Sequence, residues 1–415
     1  MIPPADSLNA LPAPDPAATA HSARLLDVLR AAIDDGGGAI SFSRFMDLAL
    51  YAPGLGYYRA GARKFGPGGD FVTAPELSPL FSRCLARQCQ EVLGALGGGE
   101  ILELGAGTGV MAADILLELR ALDTLPRRYA ILEPSGELRQ RQRQTLADRA
   151  AELLDRVVWL DAPPEPGFRG VVLGNEVLDA LPVERFRVTA RGPRRLTVVW
   201  TETGLDWAEG EEDPAVTTTV ARIEAELGWR LPEHYCSEYV PHLAAWLRTI
   251  AEPLVAGALL FVDYGYPRRA YYHPERVDGT LLCHYRHRVH ADPLILPGLQ
   301  DITASVDFTA VADAARAAGL EIAGYSCQNH FLFGCGLMEL LADQIPPNPP
   351  LEKGGGEAGG ISSPTDTVRY LEQVRQVKLL TLPGEMGDRF QAIALTRNLD
   401  IPLRGFAFRD ERHRL

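Results

Sequence analysis

In the stretch "GNEVLDALP", an apolar run stops at an amide and a carboxylate, Asn175 and Glu176, and a second acid, Asp179, follows three residues on. A strand that only filled a core would not end this way. An amide can donate to and accept from one polar ligand. Two neighbouring carboxylates can grip a planar cation, orient it and take its proton. Glu176, Asn175 and Asp179 are therefore read as catalytic candidates, with capping of the next turn as the competing role for Asp179.

A second constellation lies upstream. In "EILELGAGTGVMAADIL" a short apolar strand runs into Gly105, Gly107 and Gly109, and a helix follows. Glycines let the chain turn sharply and approach a ligand closely. A plain strand-to-helix turn needs one or two glycines, so three at alternate positions point to a bound molecule. The Gly-Lys-Ser/Thr of a phosphate-binding loop is absent. The dinucleotide fingerprint also fails, because its last glycine falls on Val110; this disfavours an NAD-dependent oxidoreductase. The spacing present is E-x-G-x-G-x-G, beginning at Glu103.

The elements around these motifs alternate. "EILELG", "RYAILEPS", "RVVWLD", "GVVLGNE" and later "GALLFVDYG" read as buried strands, separated by helical segments such as "GELRQRQRQTLADRAAELL". Such alternation means βαβ units and a parallel, doubly wound α/β sheet. The expected organisation is a disordered tail at 1–20, a helical N-terminal region with a cofactor-covering loop at 21–96, and a core at 97–183 and 236–397. A β-rich insertion at 184–235 interrupts the core. A flexible low-complexity insertion ("PPNPPLEKGGGEAGG") falls at 344–366 and a C-terminal tail at 398–415.

Composition narrows the class. The 415 residues are 46% hydrophobic and 23% charged, as in ordinary globular proteins. No apolar run reaches the roughly 18 residues of a membrane span. Six cysteines without a CxxC pair fit a reducing compartment rather than a disulfide scaffold. The Pro/Ala-rich start carries acids and no Lys or Arg, unlike a secretory or transit signal, so a cytoplasmic location is expected. A net charge of −13 argues against nonspecific nucleic-acid binding and favours a basic partner, such as an Arg- or Lys-bearing protein segment.

The glycine motif resembles the first motif of class I S-adenosylmethionine (SAM) methyltransferases. Several further pieces, "GYYRAGARKFGPGGDFVTAPELSPLF", "LEPSGELRQRQ", "GNEVLDALPVERF", "FVDYGY", "PGLQDITASVDF" and "LPGEMGDRFQAIAL", resemble one family in order, from about Gly54 to Leu395. It comprises the MidA-like proteins, which are mitochondrial complex I assembly methyltransferases and their bacterial relatives. The resemblance implies a class I Rossmann-like methyltransferase core that binds SAM. It also implies methylation of arginine in a protein, a respiratory complex I subunit in the mitochondrial members. The implied cofactor residues are Glu103, Gly105, Ala106, Gly107, Thr108 and Gly109, with Glu133 as the ribose acid and Asp161 near the adenine. Asp70, Phe71 and Thr73 would contribute from the loop over the cofactor, and Asn175 from the strand end. The sequence departs from the family in Val177 and Leu178, where relatives often carry aromatic residues, and in the 344–366 insertion. The competing reading is a SAM-binding assembly factor whose main work is holding a partner subunit, with oligomers possible in either case.

Three other groups merit weighing. "CHYRHRVH" carries His284, His287 and His290, but their spacing is a poor match to metal ligands and no metal site is expected. His287 could serve the substrate cleft. Asp301 and Thr303 could line it too, whereas Asp307 is better read as a helix cap. Asp263, at the end of an internal strand, would face the ligand crevice.

Overall fold

A computed structural model describes residues 11–60, 73–342 and 364–415, with side chains omitted for 364–370. Its centre is a sheet of seven strands: β1 (Glu100–Leu104), β2 (Tyr129–Leu132), β3 (Val157–Leu160), β4 (Phe168–Asn175), β5 (Leu254–Tyr266), β6 (Glu321–Cys327) and β7 (Phe390–Arg397). Their spatial order is 3-2-1-4-5-7-6. Strands 1 to 5 are parallel, and β7 runs antiparallel to both β5 and β6. A two-residue strand, Val306–Asp307, joins the far end of β5.

Strand periodicity explains how the sheet is covered. Successive side chains point to opposite faces. Ile101, Val171, Leu173, Leu260 and Val262 therefore enter one apolar cluster, and Leu102, Val172, Leu259 and Phe261 enter another. The first cluster is closed by helices at Pro79–Ala95 and Val110–Ala121, the second by helices at Leu243–Ala251 and Phe308–Ala317. Covered on both faces, the strands read as nearly continuous apolar runs.

A second lobe sits over the carboxyl ends of the strands. Its helices α1 (Pro16–Asp35) and α2 (Phe42–Tyr51) start at good caps: Asp15 accepts from Ala18 N at 2.8 Å and Ser41 from Arg44 N at 3.1 Å. The insertion strands Glu184–Thr189, Gly192–Thr201 and Gly204–Glu209 form a meander, joined by Ala39–Ser41 from the N-terminal region and by Cys236–Tyr239. A separate three-stranded sheet pairs Leu282–Tyr285 with Arg288–His290 and with Asp301–Thr303.

Several expected boundaries shift. The first helix begins at Pro16, inside the stretch read as a tail, because Asp15 and Pro16 make a strong helix start. The helical N-terminal region divides: α1 and α2 pack with the meander, whereas Pro79–Ala95 covers the core sheet. The insertion is not β throughout, since a helix at Pro214–Leu227 follows its strands. The C-terminal stretch is packed rather than loose, with Leu403 and Phe406 buried in the core cluster. Most of 344–366 lies outside the described residues, and its last residues open the helix Pro364–Thr381. No helix among the described residues is long and apolar enough to cross a membrane.

Candidate active site

The strand order reverses between the parallel neighbours β1 and β4, with β2 and β3 added on one side and β4 and β5 on the other, and ligands of doubly wound sheets bind at that crevice. A cavity of about 1150 Å³ opens there, lined along one side by Glu103 through Thr108 and by Glu133, and along another by Asn175, Glu176 and Asp179.

The glycine turn is backbone geometry first. Gly105, Gly107 and Gly109 have φ of 61°, 51° and 85°, a left-handed conformation that strains other residues. A Cβ on Gly109 would stand 3.0 Å from the Cα of Gln142, so the turn and the helix Gly136–Ala150 touch. Gln142 ties three strand ends together. Its amide donates to Gly107 O at 3.1 Å and to Glu133 Oε2 at 3.3 Å, and its Oε1 accepts from Trp159 Nε1 at 2.9 Å. Thr108 donates to Glu76, in the short helix Ala74–Leu77 that approaches from outside the sheet.

Glu133 closes β2, buried, and accepts from Ser135 N at 2.9 Å; burial raises its pKa. Glu103 is wholly buried in β1. Tyr129 donates to its Oε2 at 2.7 Å, yet burial pushes the carboxyl up to about 7. Asp161, beyond β3, is exposed and paired with Arg139 at 2.6 Å. Thr73 and Asp161 line the cavity, whereas Gly109 stands behind it as the N-cap of the helix Val110–Ala121. Asp70 and Phe71 lie outside the described residues.

The strand end at β4 is built to present acids. Glu176 has φ +52°, rare for a side-chain-bearing residue and costing roughly 1–2 kcal/mol. Two features hold it. Its N–H donates to Val262 O at 2.9 Å, and the three following N–H groups converge on one oxygen of Asp263. Val177, Leu178 and Asp179 reach Asp263 Oδ2 at 3.1, 2.8 and 3.2 Å. Asp263, expected to face the crevice, instead turns into the protein and does not line the cavity; it positions the loop. Burial, then the nearby charges of Asp179 and Glu176, raise its pKa well above the carboxylate range.

Asn175 donates to Glu176 Oε1 at 3.0 Å. Burial first and Asp179 second push Glu176 up to about 8. Burial pushes Asp179 up to about 6, against the pull of the neighbouring Tyr264 hydroxyl. Asp179 lies within the turn itself, and the backbone N–H groups of Asp179 and Ala180 act on its carboxyl. Its carboxyl is buried in the cavity wall.

Sequence reading missed most of the remaining wall. Tyr51, the last residue of α2, and Tyr58 stack at 5.6 Å and both line the cavity. Tyr51 donates to Ala180 O and Tyr58 to Asp301 Oδ1, each at 2.9 Å. Thr303 lines the same wall. Asp307 caps the helix Phe308–Ala317 by accepting from Ala310 N at 3.1 Å. His287 sits in the left-handed turn of the Leu282–His290 hairpin and does not line the cavity; His284 does. The described residues hold no cluster of potential metal ligands.

The strand order 3-2-1-4-5-7-6, its single reversed strand and the glycine turn after β1 define the class I SAM methyltransferase fold. The profile of the family described as "Putative S-adenosyl-L-methionine-dependent methyltransferase" matches residues 84–326. The chain belongs to this family, and SAM is its cofactor. A crystal structure from Burkholderia thailandensis, described as a "likely methyl transferase" bound to S-adenosyl-homocysteine, is 43% identical with a TM-score of 0.89, covering 98% of this chain and 100% of that one. Among curated proteins, the chain is 27% identical over 389 residues to "Protein arginine methyltransferase NDUFAF7, mitochondrial" of Danio rerio, covering 85% of this chain and 82% of that one. The Mus musculus protein of that name is 29% identical over 298 residues, 66% of this chain and 65% of its own.

The cavity fits the cofactor on its own geometry. A Cβ on Gly107 would meet nothing within 4 Å, so the turn leaves open space over its backbone. Glu103 Oε1, Asn175 Oδ1 and Asp179 Oδ1 are buried without a hydrogen-bond partner, a cost that a polar ligand would remove.

Proposed function

We propose that this methyltransferase modifies an arginine guanidinium of a protein. The observation that carries the reading is the acidity of the cavity beyond the glycine turn. Glu176, Asp179, Asp301 and Asp47 line it together with the stacked tyrosines. Arg59 and Arg389 line the cavity as well, and Arg59 commits one guanidinium N–H to Pro134 O at 3.3 Å. A guanidinium is planar, always charged and matched to carboxylate pairs and aromatic faces.

In this reading Gly105–Gly109 give the cofactor's methionine end room, with Glu103 and Asn175 offering polar atoms to it. Glu133 takes the ribose diol, and Asp161 borders the adenine. Thr73 contributes from the N-cap of the short helix Ala74–Leu77. When bound, SAM supplies a methyl group on a sulfonium sulfur, an excellent leaving group. The protein's share is alignment, which is worth about 7–11 kcal/mol in the best model systems, and proton removal. Glu176 and Asp179 hold two guanidinium N–H edges. The acceptor nitrogen forms its bond to carbon as the carbon–sulfur bond breaks, and the proton that nitrogen must lose goes to Glu176. A base near pKa 8 is well matched to that transfer at neutral pH. The carboxylate form is required, so activity rises with pH through about 8.

The acceptor protein to try first is a respiratory complex I subunit or its bacterial counterpart. Mass spectrometry of methylarginine sites in wild-type and deletion cells tests the reading. A site that disappears on deletion supports it; an unchanged arginine profile contradicts it. A chain that only holds a partner would bind SAM yet leave no label from methyl-labelled SAM on any protein.

A further inference from the structure

The three-stranded sheet of the upper lobe turns one face to the cavity. Its register sets Val289 opposite His284 and His284 opposite Asp301, with Leu282 opposite Thr303 in the next row. All five residues line the cavity. Asp301 is 2% exposed, and Tyr58 donates to it. Two bonds fix this wall to the catalytic loop: Ala304 N donates to Asp179 O at 3.1 Å, and Tyr51 OH donates to Ala180 O at 2.9 Å. The carboxyls of Asp301 and Asp179 thus belong to one rigid frame, with a stacked tyrosine pair beside them. Burial raises the Tyr51 pKa, and the nearby charges of Asp301, Asp179, Asp47 and Glu133 raise it further.

We propose that Asp301, with the Tyr51–Tyr58 pair, is the specificity-determining station of the acceptor half, receiving the edge of a planar cation that Glu176 and Asp179 do not hold. This rests on the arginine reading above and extends it to the residues that choose the acceptor. A buried carboxylate beside two aromatic faces favours a guanidinium in two ways. Its charge is compensated in a low-dielectric site, and its plane stacks. A ureido group of the same shape offers no charge, and an ammonium offers no plane. Selection against both therefore falls to Asp301 and the tyrosines, while Glu176 is left to accept the proton.

The test uses the full chain with S-adenosyl-homocysteine present and two probes, N-acetyl-arginine amide and N-acetyl-citrulline amide, with binding followed by NMR. Wild-type protein is expected to prefer the arginine probe. Asp301→Asn is expected to cut that preference at least about tenfold, the worth of one hydrogen bond to a charged group. Tyr58→Phe, which removes only a hydroxyl, is expected to cut it a few-fold. Both variants should keep the wild-type thermal shift with S-adenosyl-homocysteine, which reports an intact fold. An unchanged preference in both variants overturns the proposal, as does a wild-type protein that does not distinguish the probes. The two readings fail separately. Methyl label on a residue other than arginine removes the arginine reading even if the probe preference follows Asp301. Arginine methylation with an unaltered preference in Asp301→Asn removes the station alone.

Discussion

The two halves of the cavity are built by different means. The cofactor half is mostly backbone: a glycine turn, three parallel strand ends and Gln142 strung between them, all within residues 100–161. The half proposed to hold the acceptor is mostly side chains from distant segments, α2, the β4 end and the Asp301–Thr303 strand, brought together by the upper lobe. A backbone cradle serves one invariant ligand and tolerates little change. A side-chain wall can be retuned residue by residue, which suits the partner that differs among methyltransferases.

Substitutions should separate the halves. The largest effect is expected from Gly109→Leu. It forces a left-handed φ on a branched side chain and drives it against Gln142, so the thermal shift with S-adenosyl-homocysteine should vanish. Glu176→Gln should lower kcat by about 10²–10⁴, the usual worth of a general base, while calorimetry finds cofactor binding within a few-fold of wild type. Retained transfer would remove Glu176 from the mechanism. Asp263→Asn should sit between the halves. An amide keeps one of the two oxygens that now accept from four backbone N–H groups, which should cost about 1–3 kcal/mol of stability and lower kcat while S-adenosyl-homocysteine still binds, since Asp263 touches neither reactant. Gln142→Ala should raise the KM for SAM several-fold and leave the acceptor KM unchanged.

A further effect is on the pH dependence of stability. Glu176 has a folded-state pKa raised to about 8 by burial and by Asp179. Its stabilising contribution is therefore complete below the ordinary carboxylate range, is lost as pH rises towards about 8, and is constant above. The melting temperature of Glu176→Gln should gain on wild type across that window and no further. A gap independent of pH would mean that Glu176 is not held in its neutral form.

The same contrast explains what could be read from the sequence. The fold, the cofactor and the "GNEVLDALP" motif were legible because they are local: glycine spacing, apolar strands, acids at strand ends. Glu103, Gly105, Gly107, Glu133, Asn175 and Glu176 all meet at one cavity. Gln142 gave no signal, since a glutamine in a polar helix looks like any solvated residue until β1 and β3 are placed beside it. Tyr51 and Tyr58 were equally silent, because their partners lie 129 and 243 residues away. Asp263 was placed at the right strand end with the wrong direction. Alternation along a strand tells that a side chain changes face, while the three N–H groups that turn this one inward belong to the neighbouring loop.

The most direct test of the acidic acceptor half is the chemical identity of the methylated atom. Wild-type protein and Glu176→Gln would be incubated with methyl-labelled SAM and the proteins of a deletion strain, and the labelled peptides sequenced by mass spectrometry. We predict label on a guanidinium nitrogen of arginine, lost in Glu176→Gln although S-adenosyl-homocysteine still binds. Label on a lysine, a carboxylate or a hydroxyl, or equal labelling by the variant, would contradict the account.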